Sequence, residues 1–349
     1  MRRDAMLRTT PDRLTDIATV LVAALAVTAA GCATAHATAH APAHPDQSGA
    51  GPVPGDVPGF GAHWHDGQAE LDGYRWSGSR YGTSRSGTCV MIFVTEPFSR
   101  SRLVKVDDPS SAGDDVIDVL KLNLVRDFQT GIYDYNTMVS VFARSDDMTP
   151  LKITFSSAEW CGHVYEELRR RDDAIERQTW SYFEGETSSE RLPWREDAVT
   201  EDGLAIRLRG LRGDYLAPDA QRPVPFLTGS FWGRLAHRHP TWTRATIERP
   251  AGTELLEVPA GTFDTFRYRV AIDGGRTGQF WIESDYPHRI IRWEWRAGSD
   301  DAARIEETGE LTGSRRLRYW QLNGPGDERL LPELGLPVPG ESRRRPGTR

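Results

Sequence analysis

The chain has 349 residues, with 43 Lys plus Arg against 50 Asp plus Glu, and a formal net charge of −7. Before Gly31 the basic residues Arg2, Arg3, Arg8 and Arg13 outnumber Asp4, Asp12 and Asp16, so the remainder is slightly more acidic still. That balance excludes nucleic acid and an anionic membrane face as the main partner, since both are polyanions.

In chain order, the first feature is Ile17 to Ala30 (IATVLVAALAVTAA), which is uncharged and followed by Gly31 and Cys32. The run is too short to span a bilayer comfortably and suits the hydrophobic region of a signal peptide covering residues 1–31. Ala29, Ala30 and Gly31 before Cys32 resemble the bacterial lipoprotein cleavage box, with Ala29 where that box usually carries Leu. The expectation is export, lipidation at Cys32, and attachment by that lipid anchor to the periplasmic face of a bacterial membrane. Residues 32–61 are rich in Ala, Pro, Gly and polar groups and read as a low-complexity tether. His36, His40 and His44 recur every four residues there, but Pro42 and the lack of flanking carboxylates or thiolates make them a spacer.

Residues 62–324 are long enough for one large domain or two small ones, with a candidate break near 190–250. Their hydrophobic period is close to 2, the mark of half-buried antiparallel strands. Strands are expected over Ala69 to Trp76, Cys89 to Thr95, Leu103 to Val106, Ile117 to Phe128, Ile132 to Phe142, Leu151 to Ser156 and Thr179 to Phe183. Gln129-Thr130-Gly131 supplies a hairpin. Glu196 to Leu211 has the one plausible helical period, weakened by Gly203. In Phe266 to Ile272, Phe266, Tyr268, Val270 and Ile272 share a face opposite Arg267 and Arg269, and Asp273-Gly274-Gly275 turns the chain. The return through Gln279 to Glu283 and the run Ile291 to Arg296 complete a meander. The expected fold is mainly β: a large twisted antiparallel sheet curling into a half-barrel or barrel, with one or two short helices. Residues 325–349, ending PGESRRRPGTR, are expected to be disordered.

Val119 to Tyr135, Ser156 to Glu167 and Val258 to Trp295 resemble an uncharacterised family of exported bacterial proteins, many of them lipoproteins. The last stretch is similar to a β-rich domain of unknown function in envelope proteins, broadly comparable in shape to the LolA and LolB carriers. Some relatives carry a Maf-type septum-formation-inhibitor label. This chain does not fit it, because Ser77 to Arg80 (SGSR), its nearest match to a phosphate loop, lies between strands with no helix behind it. The resemblance implies no established activity.

The stretch SAEWCGHVYEEL contains Cys161 beside His163, the raw material of a thiol nucleophile. A redox motif would need a second cysteine at position 164, which is Val. A Cys161–His163 hydrolase is the alternative function, but no third orienting group is visible. With Cys32 lipidated, Cys89 and Cys161 remain in an oxidising compartment and are expected to form a disulfide. Glu159, Glu166 and Glu167 read as a solvated strand exit beside Arg169, Arg170 and Arg171. His63 and His65, His237 and His239, and the group Glu283, Asp285 and His288 read as surface or turn residues, so no metal site is expected. No Gly-rich phosphate loop, GxSxG elbow or HExxH is present, and no cofactor is expected. Phe266, Tyr268, Trp281, Trp293 and Trp295 are expected to line a concave face that binds an apolar ligand. The functional expectation is an envelope lipoprotein that carries an apolar ligand, or scaffolds an envelope protein, without chemistry of its own.

Overall fold

The computed structural model describes residues 59–298 and 303–340. The expected signal peptide, Cys32 and the histidines of the expected tether lie outside the described residues. Sixteen strands form a single sheet that does not close.

The first half is an uninterrupted meander. It comprises β1 (Ala69–Arg80), β2 (Thr83–Ser99), β3 (Val116–Thr130), β4 (Tyr133–Arg144), β5 (Pro150–Glu159), β6 (Gly162–Arg170), β7 (Ala174–Ser181) and β8 (Ser188–Pro193). The second half contains β9 (Val199–Thr200), β10 (Ala220–Leu227), β11 (Trp242–Arg249), β12 (Glu254–Val258), β13 (Gly261–Ile272), β14 (Thr277–Glu283), β15 (Ile290–Arg296) and β16 (Ile305–Leu317). β16 pairs with β1 and joins the halves, so β8 and β9 are the two free edges, and β12 pairs only with β13. Residues 194–198 alone link those edges. Five residues reach at most about 20 Å, so the sheet must curl until its edges approach.

Alternation decides what fills the curl. On β1, Glu70, Asp72, Tyr74 and Trp76 point inward, while Ala69 and Leu71 point outward. Inward-facing Phe93, Leu122, Val141, Phe155, Tyr268 and Trp293 join one core cluster. Residues 201–216 lie against this core as a plug rather than as the long helix expected over 196–211. Only a 3₁₀ turn at Glu201–Gly203 and one short helix, Leu204–Arg207, form, and Leu204, Ile206, Leu208 and Leu211 are buried. A segment buried on several sides has no polar face to sustain an amphipathic helix. A second short helix, Ser230–Leu235, adds Phe231 to the core.

Two further expectations change. Leu103 to Val106 is a loop with a single bridge, Phe98 to Lys105. The tail does not become irregular at 325. A 3₁₀ segment, Asp327–Leu334, packs Leu334 against Ala69, Leu71 and Val94 on the outer face, and Thr312 Oγ1 donates to the Leu334 carbonyl at 2.7 Å. Gly73 and Gly313 permit this, since a Cβ at either would fall 2.0 or 2.2 Å from a carbonyl oxygen of the segment.

Candidate functional site

The aromatic residues expected to bind a ligand lie in a filled interior. Phe266, Tyr268, Trp293 and Trp295 are buried members of the core, whereas Trp281 points to the other face and donates to Glu254 Oε1 at 3.0 Å. The space beside Trp293 and Trp295 is a cavity of about 50 Å³. Ligand pockets typically measure about 300–1,000 Å³, and a water needs about 10–15 Å³. The cavity therefore has room for a few waters and none for an acyl chain. The concave-face expectation failed because the 201–216 plug and Phe231, distant in sequence, occupy the hollow.

The interior also holds charge. Arg209 Nη1 stands 2.7 Å from Glu70 Oε1, and its other nitrogens donate to the Pro287 and His288 carbonyls at 2.9 and 3.0 Å. Burial opposes ionisation of Glu70, but Arg209 and a hydrogen bond with His63 outweigh it and hold the carboxyl down at about 2. Two residues on, burial and then the Glu70 charge push Asp72 up to about 8. Deeper in, Arg126 Nε and Trp76 Nε1 donate to Glu307 Oε1 at 2.9 and 2.7 Å. The network fixes the interior rather than opening it: Glu70, Asp72, Trp76, Arg126, Arg209 and Glu307 are all buried, and His63 closes it half-buried at the edge. The solvated exit expected at Glu159, Glu166 and Glu167 is likewise corrected, since all three are buried. Glu159 meets Arg234, and Glu167 meets Lys152 at 2.9 Å.

Both cysteines are free, so the expected bridge is not formed. Cys89 sits buried in mid-strand on β2, where burial pushes its thiol up to about 12, and β3 and β4 separate it from β5. Cys161 is exposed in the β5–β6 turn, not in a strand as its neighbours implied. The glycine of WCGH answers to packing: a Cβ on Gly162 would lie 2.5 Å from the Tyr182 ring. His163 lines the outer groove described below and is not hydrogen-bonded to Cys161.

One end of the sheet stands out. The β1–β2, β3–β4, β5–β6 and β7–β8 connections all emerge there, and each carries a large exposed residue: Tyr81 (59%), Ile132 (82%), Trp160 (70%) and Tyr182 (72%). Register aligns them: Arg80 faces Thr83, Thr130 faces Tyr133, and Tyr135 faces Glu159. At the usual strand spacing the four tips span about 30 Å along the sheet. Tyr81 holds φ 54, a conformation that disfavours aromatic side chains and normally selects Asn or Gly at a tight hairpin turn. Beneath the tips, Tyr165 and Trp180 pair across strands with ring centroids 5.7 Å apart. With Ser156, Ala158 and His163 they line an open groove of about 510 Å³ on the outer face. The loops at the opposite end, 100–115, 145–149 and 171–173, are rich in Asp, Arg and Ser, and Val104 is the only large exposed apolar residue among them.

The described residues thus define an unclosed, barrel-like β protein with a filled interior and an aromatic rim. They contain no group of three or more His, Cys, Asp or Glu placed to hold a metal, and no helix long and apolar enough to cross a membrane. No family model matches the chain, and no curated protein matches it. Among solved structures it is similar to a β-barrel-like protein of the domain of unknown function DUF1849 from Brucella abortus, at 10% identity and TM-score 0.42, covering 71% of this chain and 98% of that one. It is also similar to an exported protein with a YmcC-like fold from Bacteroides fragilis, at 10% identity and TM-score 0.21, covering 70% and 95%.

Proposed function

We propose that this protein is an envelope lipoprotein that binds through its aromatic rim to the interface of a zwitterionic bilayer, in place of carrying an acyl chain inside the sheet. The carrying observation is the row of Tyr81, Ile132, Trp160 and Tyr182 at four successive hairpin tips of one end. Tyr and Trp favour the membrane interface because one end of the ring is apolar and the other is wet. Withdrawing a side chain of this size from water stabilises by roughly 1.5–3 kcal/mol, so even partial burial of four tips supports reversible binding. The acidic balance of the chain favours an uncharged surface over an anionic one. The anchor does not prevent the contact. Residues 33–58 reach at most about 90 Å when extended, while β1 is about 40 Å long.

The test is cosedimentation with phosphatidylcholine vesicles of the Cys32→Ala chain produced from residue 32 onward, which carries neither the apolar leader nor an acylation site. The reading expects binding that falls at least tenfold in the Ile132→Ser, Trp160→Ser, Tyr182→Ser triple variant. A folded Cys32→Ala chain that stays in the supernatant at millimolar lipid would overturn it.

A further inference from the structure

Behind the β7–β8 hairpin the histidine-rich stretch AHRHP meets the inner face of β6–β8, and three side chains fall into a chain of proton-transfer partners. Ser188 Oγ stands 3.5 Å from His239 Nε2, and the other ring nitrogen, His239 Nδ1, stands 3.6 Å from Glu166 Oε2. The use of both nitrogens matters, because a neutral imidazole protonated at Nδ1 leaves Nε2 free to accept the serine proton. Glu166 is buried and held from behind by Thr179, whose Oγ1 donates to Glu166 Oε2 at 2.9 Å. Arg177, also buried, donates from Nη2 to Ser188 Oγ at 3.3 Å while pairing with Glu190 at 2.9 Å. Nucleophile, base and orienting carboxylate are therefore in order, with Arg177 beside the nucleophilic oxygen. Both contacts to the imidazole are longer than a working hydrogen bond, as such contacts commonly are before substrate binds. Ser188 and His239 are partly exposed, so an ester can reach the serine from solvent, while the cavity of about 30 Å³ beside His239 is lined by Glu166 and Thr179 and does not include Ser188.

We propose that Ser188, His239 and Glu166 form a hydrolytic site for esters. Ser188 Oγ attacks the ester carbonyl carbon as its proton passes to His239 Nε2. The tetrahedral adduct collapses, the bond to the leaving alcohol breaks, and His239 Nε2–H protonates the departing alkoxide. Water, deprotonated by His239 in the same way, then cleaves the acyl-Ser188 ester and releases the carboxylic acid. Glu166 is a positioning residue that holds the Nδ1 tautomer, and Arg177 favours the charge that develops on Ser188 Oγ as its proton leaves. Rim binding is not required for this chemistry.

The test uses the full chain with p-nitrophenyl acetate, p-nitrophenyl decanoate and a fluorophosphonate probe, followed by peptide mapping. The expected result is probe attached at Ser188, hydrolysis of the nitrophenyl esters, and both reactions reduced about 100-fold or more in Ser188→Ala and in His239→Ala. In Glu166→Gln the pH profile of the residual turnover should move to lower pH, which a purely structural role would not do. Ser188→Ala changes one small, partly exposed side chain, so matching thermal unfolding with the parent chain separates lost chemistry from lost fold. A folded parent chain that neither labels nor turns over acetate above background, turnover that survives Ser188→Ala, or labelling at Ser188 that is unchanged in His239→Ala would each overturn the proposal.

Discussion

Asp72→Asn should stabilise the protein near neutral pH, an unusual expectation for a fully buried acidic residue. In the fold, burial and the neighbouring Glu70 charge raise the Asp72 carboxyl from 3.8 to about 8. In the unfolded chain it titrates at its ordinary value. Because the folded value is the higher one, the contribution of Asp72 to stability is full below pH 3.8 and is lost as pH rises toward 8. At pH 7 the folded chain holds a proton that the unfolded chain has released. At about 1.4 kcal/mol per pH unit this penalty is about 4 kcal/mol. Asparagine keeps the shape, stays neutral at every pH and removes the penalty, less whatever its amide fails to satisfy. Glu70 acts in the opposite sense: its lowered value gives stability above 4.5 that disappears as pH falls through about 2, below the window of interest. Urea unfolding followed by tryptophan fluorescence from pH 4.5 to 8 reads the effect. The difference between Asp72→Asn and the parent should grow by several kcal/mol from the acid to the neutral end. A difference that does not change with pH, or a variant that is less stable at pH 7.5 than the parent, refutes the assignment.

Three further outcomes follow from the packing. Without any reductant, Cys161 should alkylate at once in the folded protein and Cys89 only on unfolding, with no linked peptide, because one thiol is exposed and the other is buried and pushed up to about 12; peptide mapping checks this. Gly309→Ala should destabilise by about 1–3 kcal/mol or more, since its Cβ would fall 2.1 Å from the Trp293 ring; thermal and urea unfolding measure it. Arg234→Ala should cost about 3–5 kcal/mol by leaving Glu159 buried without its partner, and Arg234→Ala with Glu159→Gln should recover part of that loss.

The sheet was legible wherever one face is apolar and the other polar. Phe266, Tyr268 and Val270 against Arg267 and Arg269 fall on the expected faces of β13, and β14 and β15 follow as predicted. β10 and β11 were not legible: Pro223 and Pro225 interrupt the first, and in WTRATIER only Ala245, Ile247 and Arg249 turn inward. Glu159, Glu166 and Glu167 look solvated because Arg169 to Arg171 follow them in sequence. Two of their partners, Arg234 and His239, arrive from the Ser230–Leu235 helix and the turn after it, about 70 residues later, which only the curl of the sheet brings close. The same long-range closure fills the concave face that Trp293 and Trp295 were expected to offer. The rim residues are individually visible as large side chains at turns, but their alignment on one end depends on register, which a single strand pattern does not fix across eight strands.

The most direct test of the rim is depth-resolved quenching of tryptophan fluorescence by phosphatidylcholine vesicles carrying brominated acyl chains. Trp64, Trp76, Trp293 and Trp295 are buried and shielded, whereas Trp160 stands at a tip and Trp180 is exposed beneath it. Binding through the rim predicts quenching in the Cys32→Ala chain that largely disappears in Cys32→Ala with Trp160→Phe and Trp180→Phe, although that protein still sediments with vesicles. Quenching that is absent in a vesicle-bound parent chain, or equal in the two proteins, would contradict the account.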